Sequence, residues 1–200
     1  MRYSFITINR EFESRGSEIA QEVAKRLHIP YVDKFLITES AQKSGFSVAE
    51  IEATDEKLAS RFEYSQAEAG HFYSTAESPL PTNEQVAQVQ FQLIRELAEQ
   101  GPCVIVGRCA NYLLRDRADV LDVFVHAGRD YRVKRTMERF ELSERSAVRL
   151  LRRTDKARKA YYKNYTGADW NDPNNYHMIL NSDKLDFDTC VDLICGLYQG

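Results

Sequence analysis

Short apolar runs alternate with amphipathic stretches along most of the chain, and this alternation predicts strands and helices in turn. Five runs are rich in aromatic and β-branched residues, which is the composition of buried strands. They cover residues 3–8, 31–33, 104–106, 120–125 and 178–180. Strands that alternate with helices imply an α/β fold with a mainly parallel five-stranded sheet flanked by helices on both faces.

Helical spacing of apolar residues fills most of the intervening segments. The turn at residues 14–17 supplies cap chemistry for a helix that Pro30 stops. Capping boxes at Ser47 and Thr82 predict two further helix starts, and Asp186 is the expected cap of a last helix. The other predicted helices cover residues 34–43, 109–114, 129–140 and 143–163.

Composition places the chain among ordinary globular proteins. With 200 residues, 43% hydrophobic and 28% charged, it has the size and composition of one domain with its own core. No apolar run approaches the length of a membrane span, and the start shows no cleavable signal sequence. The four cysteines form no Cys-x-x-Cys pair, so we expect buried thiols in a reducing, cytoplasmic setting.

Charge is distributed unevenly along the chain. Residues 129–163 hold nine Arg and four Lys against five acids, a net charge of +8 within a chain whose net charge is -3. A basic segment inside an acidic protein suits a local anion such as a nucleotide phosphate. The pI of about 5.9 disfavours a nucleic acid as the general partner.

Ligands of parallel α/β sheets bind at the carboxyl ends of the strands, which selects the loop after the first strand. This loop leads into a helix N-terminus, where free backbone N–H groups favour a phosphate. It departs from the Walker A pattern, because Glu11 replaces the first glycine, Ser17 the lysine and Glu18 the magnesium-binding hydroxyl.

Arginines supply the other candidate chemistry. Arg108 directly follows a predicted strand and a glycine, where a guanidinium can hold a phosphate with two hydrogen bonds. At helical spacing, Arg152, Asp155 and Arg158 can share one side of a helix, with Asp155 orienting either arginine. The alternative interpretations are a surface arginine at a turn and a solvated charged helix.

These segments also carry a family resemblance. Its anchors are residues 6–12 and 16–20 in the first loop, 29–34, 104–108, and a distal group that begins at Asp155 and ends at residue 181. In their order and spacing they resemble the cytidylate kinase-like group of the nucleoside monophosphate kinases. That group commonly shows Gly-Ser-Gly-Gly and a basic residue in the first loop, whereas this chain has Glu-Ser-Arg-Gly-Ser at residues 13–17.

The resemblance implies a three-layer P-loop kinase-like fold over residues 1–200. Within it lie a helical acceptor-binding insert at about 34–80 and an arginine-rich lid at about 129–170. ATP phosphates are then expected on the first loop, with magnesium, and a nucleoside monophosphate is expected under the insert. The phosphate-binding residues expected from the loop are Arg10, Ser14, Arg15, Gly16 and Ser17.

The resemblance also assigns roles to the remaining candidates. Arg108 matches the arginine that holds the monophosphate, and Asp33 marks the start of the acceptor pocket. Arg158, with Asp155, matches the lid arginine that closes on the phosphates. Arg152 lies one position from a further lid arginine of true cytidylate kinases, so Arg108, Arg152 and Arg158 are the expected catalytic residues.

Three functions remain open at this stage. The first is transfer of the ATP γ-phosphoryl group to CMP or a related small acceptor. The second, favoured by Glu11, Glu13 and the absent lysine, is a nucleotide-binding or regulatory protein that has lost phosphoryl transfer. The third, ranked last, is a nucleic-acid contact through the basic segment and its tyrosines at 161, 162 and 165. The sequence is also compatible with a homodimer formed through the insert.

Overall fold

Five parallel strands form the centre of the protein in the computed structural model, which describes residues 3–42, 45 and 83–200. The strands are β1 (Phe5–Arg10), β2 (Tyr31–Val32), β3 (Cys103–Val106), β4 (Val120–His126) and β5 (Met178–Asn181). Their order in the sheet is β2-β3-β1-β4-β5, and all neighbouring pairs are parallel. The predicted α/β class with a parallel five-stranded sheet is confirmed.

Helices cover both faces of this sheet. They are α1 (Gly16–Leu27), α2 (Lys34–Gln42), α3 (Asn83–Gln100), α4 (Ala110–Leu113), α5 (Arg129–Phe140), α6 (Glu144–Thr166) and α7 (Phe187–Gln199). Ile19 of α1 and Ile194 of α7 pack in the core on one face. Ile37 of α2 and Ile94 of α3 pack in the core on the other face, which gives three layers. No helix in the described part of the chain is long and apolar enough to cross a membrane.

Most of the predicted insert lies outside the described residues, and so does a homodimer contact through it. The helix predicted from residue 34 ends at Gln42. The capping boxes at Ser47 and Thr82 cannot be compared with the structure, because both residues belong to the undescribed part.

All five strands differ by one or two residues from their predicted limits. β3 begins one residue earlier, at Cys103, and β4 and β5 each end one residue later, at His126 and Asn181. β1 begins at Phe5 rather than residue 3 and continues to Arg10, because Asn9 and Arg10 keep their parallel pairing with β4. β2 ends one residue early, at Val32, since Asp33 turns the chain into α2. There the Asp33 carboxylate accepts a hydrogen bond from the Leu36 backbone N–H at 3.2 Å.

The expected side-chain cap of α1 is wrong. The N-cap residue is Arg15, with a left-handed φ of 61° and no side-chain cap hydrogen bond. The Ser14 hydroxyl instead donates to the carbonyls of Glu11 at 2.8 Å and Val125 at 3.1 Å. Ser14 therefore ties the first loop to the end of β4. At α7 the cap is as predicted, because Asp186 accepts from the Thr189 N–H at 2.8 Å.

Two glycines make room for the Arg10 side chain. A Cβ atom on Gly16 would lie 2.4 Å from the Cβ of Arg10 and 3.2 Å from that of Val125. Gly107, at φ +73°, leaves space for the guanidinium, since a Cβ there would lie 2.6 Å from Nη1 of Arg10. The close approach of α1 to the end of β1 thus requires glycine at position 16.

We expect Gly16→Ala to lower the free energy of unfolding by about 2 kcal/mol, because the added methyl group overlaps the rigid base of the Arg10 side chain. Gly196→Ala is the matched control, since a Cβ there meets nothing within 4 Å and alanine favours the helix. Urea denaturation of both variants measures the difference. Equal effects of the two substitutions would contradict the packing argument.

A buried carboxylate lies between the two central strands. Asp122 of β4 is the parallel neighbour of Thr7 on β1, and the Thr7 hydroxyl donates to it at 2.5 Å. Burial raises the pKa of Asp122 to about 6, although the Thr7 hydrogen bond and nearby His177 act in the opposite direction. At neutral pH the folded protein therefore holds an ionised carboxylate in its core.

The raised pKa gives Asp122→Asn a pH-dependent effect. Because the folded pKa lies above the usual 3.8, the protonated carboxyl stabilises the fold at low pH, and this contribution is lost as the pH rises to about 6. Asparagine does not ionise, so we expect the variant to gain about 2 kcal/mol relative to the natural protein between pH 4 and pH 7.5. Denaturant titrations at the two pH values measure this gain, and a constant difference would refute the assignment.

Candidate functional site

The first loop, residues 10–17, joins β1 to α1 at the carboxyl edge of the sheet. Glu13 and Arg15 both adopt the left-handed conformation, with φ of 56° and 61°. Glycine adopts this conformation freely, whereas other residues reach it at some cost. The loop therefore keeps a glycine-type backbone path at two positions that carry charged side chains.

Arg10 and Arg158 meet beside this loop. Nη1 of Arg158 donates to the Arg10 carbonyl at 2.8 Å, and Nε of Arg10 donates to the Ser17 hydroxyl at 3.2 Å. Burial lowers the pKa of Arg10 well below its ordinary range, and the charge of Arg158 lowers it further. Burial likewise lowers the pKa of Arg158, with Asp155 acting in the opposite direction. Two crowded, poorly solvated cations of this kind favour a bound anion.

A cavity of about 450 Å³ opens between β3, α6 and the segment that carries Trp170. Its described wall has four arginines and no acidic residue. The arginines are Arg10, Arg108, Arg153 and Arg158. We call it the arginine–aromatic cavity, since Tyr161, Tyr162 and Trp170 form much of its apolar surface. Its charge suits an anionic ligand, and its rings suit a planar group.

Hydrogen bonds and packing hold the wall of this cavity in place. Asn111 donates to the Tyr162 hydroxyl at 2.9 Å and accepts from Asn9 at 3.1 Å. The Arg108 guanidinium lies 5.6 Å from the centre of the Tyr161 ring, within the range of a cation–π interaction. Arg108 and the neighbouring Cys109 have left-handed φ values of 53° and 57°, a backbone strain often found at functional sites.

Cys109 contributes packing rather than a reactive thiolate. Burial raises the pKa of its thiol to about 12. All four cysteines are free, and three of them are buried, as the sequence predicts.

A second cavity, of about 300 Å³, lies along the first loop, and we call it the first-loop cavity. It is lined by the whole loop, by Tyr31, and by Arg139 and Phe140 at the end of α5. Arg10 and Arg158 line this cavity as well as the arginine–aromatic cavity. The two cavities thus adjoin at a shared pair of arginines.

Arginines of α5, which the sequence analysis missed as site residues, pair with Glu11 and Glu13 of the first loop and with Glu18 of α1. Arg132 Nε lies 3.3 Å from Glu11, and Arg135 Nη2 lies 2.7 Å from Glu18. Arg139 Nη1 donates to Glu13 at 3.1 Å. The three arginines recur at helical spacing, which was a usable signal for a common face, but their partners lie more than a hundred residues away in sequence.

Asp155 has both of its oxygens engaged. Oδ1 accepts from the Phe12 N–H at 2.8 Å, and Oδ2 accepts from Arg132 Nη1 at 2.6 Å. Arg132 also donates to the Phe12 carbonyl at 3.2 Å. Asp155 therefore connects α6 to the first loop and to α5.

The expected common side holds for Arg152 and Asp155, which line one cavity, but not for Arg158. Arg152 is exposed and, together with Asp155, lines a third cavity of about 420 Å³ between α5 and α6. Arg158 lines the other two cavities. Asp155 pairs with Arg132, and Arg158 donates to the Arg10 carbonyl.

Asp33 lies near the site without forming the described wall of either the arginine–aromatic or the first-loop cavity. Its charge raises the pKa of Arg10, partly offsetting the effect of burial. It also raises the pKa of Tyr31, where burial is the larger cause. Asp33 thus acts on the site through its electrostatic field in this conformation.

The described residues do not fit a preformed magnesium site. Among them, no group of three or more His, Cys, Asp or Glu is placed to hold a metal ion. The three carboxylates of the first loop segment face arginines instead. We therefore assign no chemical step to a protein-held metal.

Comparisons with known proteins agree with this architecture. The sequence model of the cytidylate kinase-like family matches residues 5–184. The chain is 25% identical over 195 residues to a cytidylate kinase from Pyrobaculum neutrophilum, covering 95% of this chain and 92% of that protein.

Solved structures show the same fold. An uncharacterized protein from Eubacterium ventriosum superposes with a TM-score of 0.72 at 28% identity, covering 98% of each chain. Shikimate kinase from Bacteroides thetaiotaomicron superposes with a TM-score of 0.52 at 12% identity, again over 98% of each chain, a likeness in fold alone. The parallel sheet, the first loop and the family match together lead to one conclusion: the chain belongs to the cytidylate kinase-like family and has a P-loop kinase fold with a nucleotide kinase-like function.

Proposed function

We propose that the protein transfers the γ-phosphoryl group of ATP to CMP or a related small acceptor. The observation that carries this proposal is the pair of adjoining cavities that share Arg10 and Arg158. A phosphoryl transferase needs a donor and an acceptor held end to end, with positive charge where they meet. The family match supports the same class of reaction.

The donor phosphates are assigned to the first-loop cavity. The N-terminus of α1 supplies backbone N–H groups there, next to Arg15, Gly16 and Ser17. Arg10 supplies a positive charge there in place of the lysine that the Walker A pattern would have. Ser14 acts by holding the loop against β4, since its hydroxyl donates to two backbone carbonyls.

The acceptor is assigned to the arginine–aromatic cavity. Arg108 is positioned to bind its phosphate, and Tyr161 and Trp170 provide apolar surface for a planar base. Asp33 remains a proposed acceptor residue on the strength of the family resemblance. The absence of acidic residues from the described wall favours an acceptor with at least one negative charge.

Arg158 stands between the two ligands in this proposal. An oxygen of the acceptor phosphate attacks the γ-phosphorus, the bond to the β,γ-bridging oxygen breaks, and ADP leaves with that oxygen. Arg10, Arg108 and Arg158 offset the negative charge of the transferring group. Arg152 lies in the third cavity, so its catalytic role stays a prediction from the sequence.

A nucleotide-binding protein without transfer activity is the second candidate. The observation in its favour is the pairing of Glu11 and Glu13 with arginines that would otherwise attract phosphates.

The third hypothesis, a nucleic-acid contact, is not supported by the positions of its three tyrosines. Tyr161 and Tyr165 pack against one another with ring centres 4.7 Å apart, and Tyr162 is buried, so these tyrosines form no exposed surface on which a nucleic-acid strand could stack.

The proposal is tested by measuring ADP release from ATP and magnesium with each nucleoside monophosphate in turn. We expect stimulation by CMP or a related monophosphate. If no acceptor stimulates release while ATP still binds, the nucleotide-binding alternative replaces the proposal.

Arg108→Ala is expected to lower kcat/KM by about a hundredfold, because one charge-assisted contact to the reacting phosphate is removed. Arg145→Ala is the control, since it removes an exposed arginine of α6 that lines none of the three cavities described. Steady-state kinetics and a thermal unfolding curve are recorded for both. Unchanged turnover by a folded Arg108→Ala protein would exclude the assigned role.

Asp155→Asn is expected to destabilise the protein by about 3 kcal/mol, because Arg132 loses its buried partner charge. We also expect a higher KM for ATP, since the first loop is anchored through Phe12 to this pair. Asp169→Asn removes the exposed ion pair between Asp169 and Lys163 of α6 and serves as the control. A variant with normal stability and normal KM would show that the pair does not position the loop.

A further inference from the structure

Glu13 is a buried acid inside the first-loop cavity. Its side chain is 4% exposed, although it lies on a surface loop beside the N-terminus of α1. Its backbone is left-handed, at φ 56°, which turns the side chain into the loop's own pocket. A carboxylate is rarely buried unless it is paired, so its partners indicate what the pocket attracts.

Both partners of Glu13 are arginines of α5. Arg139 Nη1 donates to Oε1 at 3.1 Å, and Arg135 Nη2 lies 3.5 Å from Oε2. A phosphate bound in the first-loop cavity would draw on Arg139, which lines this cavity from the α5 side. The carboxylate therefore takes a position that suits an anionic ligand.

The fit of the carboxylate is incomplete. Oε2 of Glu13 and Nε of Arg135 are both buried and have no hydrogen-bond partner within the described residues. A buried polar atom without a partner costs about 1–3 kcal/mol. A phosphate has more acceptor oxygens than a carboxylate, so it can accept more hydrogen bonds than Glu13 does.

We infer that Glu13 is an internal competitor of the donor phosphates, and that it sets the affinity of the first loop for ATP by occupying Arg139 and, together with Glu18, Arg135. The inference rests on the proposed function, because it takes the first-loop cavity as the donor site. A phosphate bound in the first-loop cavity and the Glu13 carboxylate would repel each other. The donor therefore binds only when the Glu13 side chain leaves the arginines. Glu13 is thus a residue that determines donor affinity, not a catalytic residue.

The test is a calorimetric titration of ATP into the natural protein and into Glu13→Gly and Glu13→Gln. Glycine accepts the left-handed backbone of residue 13 without strain, so Glu13→Gly removes the carboxylate and keeps the loop path. We expect its Kd for ATP to fall at least about tenfold, with a smaller fall for Glu13→Gln, whose amide still fills the pocket.

Glu22→Gln is the matched control. It removes one negative charge from the α1 surface, where Glu22 pairs with Lys25 and Arg26 rather than with α5. We expect its Kd for ATP to change by less than about twofold, because Glu22 does not line the first-loop cavity and its charge is offset by Lys25 and Arg26. Thermal unfolding curves confirm that each variant is folded.

The outcomes separate this inference from the proposed function. An unchanged or higher Kd for ATP in folded Glu13→Gly overturns the inference, and the proposed function is then judged by turnover alone. Tighter binding without transfer to any monophosphate supports the inference and excludes the transferase. An equal fall in Kd for Glu22→Gln also overturns the inference, since net charge would then explain the effect. If neither the natural protein nor Glu13→Gly binds ATP, the inference and the proposed function are both contradicted.

Discussion

The buried ion pair between Arg132 and Asp155 connects the first loop to helices α5 and α6. Their 2.6 Å contact joins α5 to α6, and the same two side chains bind the N–H and the carbonyl of Phe12. The first loop is thus fastened to both helices through its backbone. Since burying two charges is costly unless their remaining hydrogen-bonding groups are satisfied, this complete set of partners is what makes the pair tolerable.

That fastening explains how a loop with few glycines keeps a glycine-type shape. Glu13 and Arg15 hold left-handed backbones that cost of order 1 kcal/mol each when nothing else constrains them. Here the backbone on either side is fixed, at Phe12 by the ion pair and at Ser14 by its bonds to Glu11, Val125 and Ser182. Tertiary contacts therefore impose a conformation that the local sequence does not favour.

The sequence predicted what depends on local pattern and missed what depends on distant partners. Hydrophobic runs located all five strands, and a side-chain cap located the start of α7, because both signals lie within a few neighbouring residues. No local signal shows that Asp155 pairs with Arg132 rather than with Arg152, or that Ser14 ties the first loop to β4 instead of capping a helix. Such choices are settled by packing between segments far apart in the chain.

The two adjoining cavities differ in charge in a way that bears on the order of ligand binding. The arginine–aromatic cavity has no acidic residue on its described wall, whereas the first-loop cavity contains Glu11, Glu13 and Glu18. Arg10 and Arg158 belong to both, so an anion in either cavity reduces the positive charge available to the other. Under the proposed function, an acceptor phosphate would meet a described wall without carboxylates, whereas a donor phosphate would have to replace carboxylates. In the proposed reaction, the electrostatics therefore favour binding of the acceptor before binding of the donor.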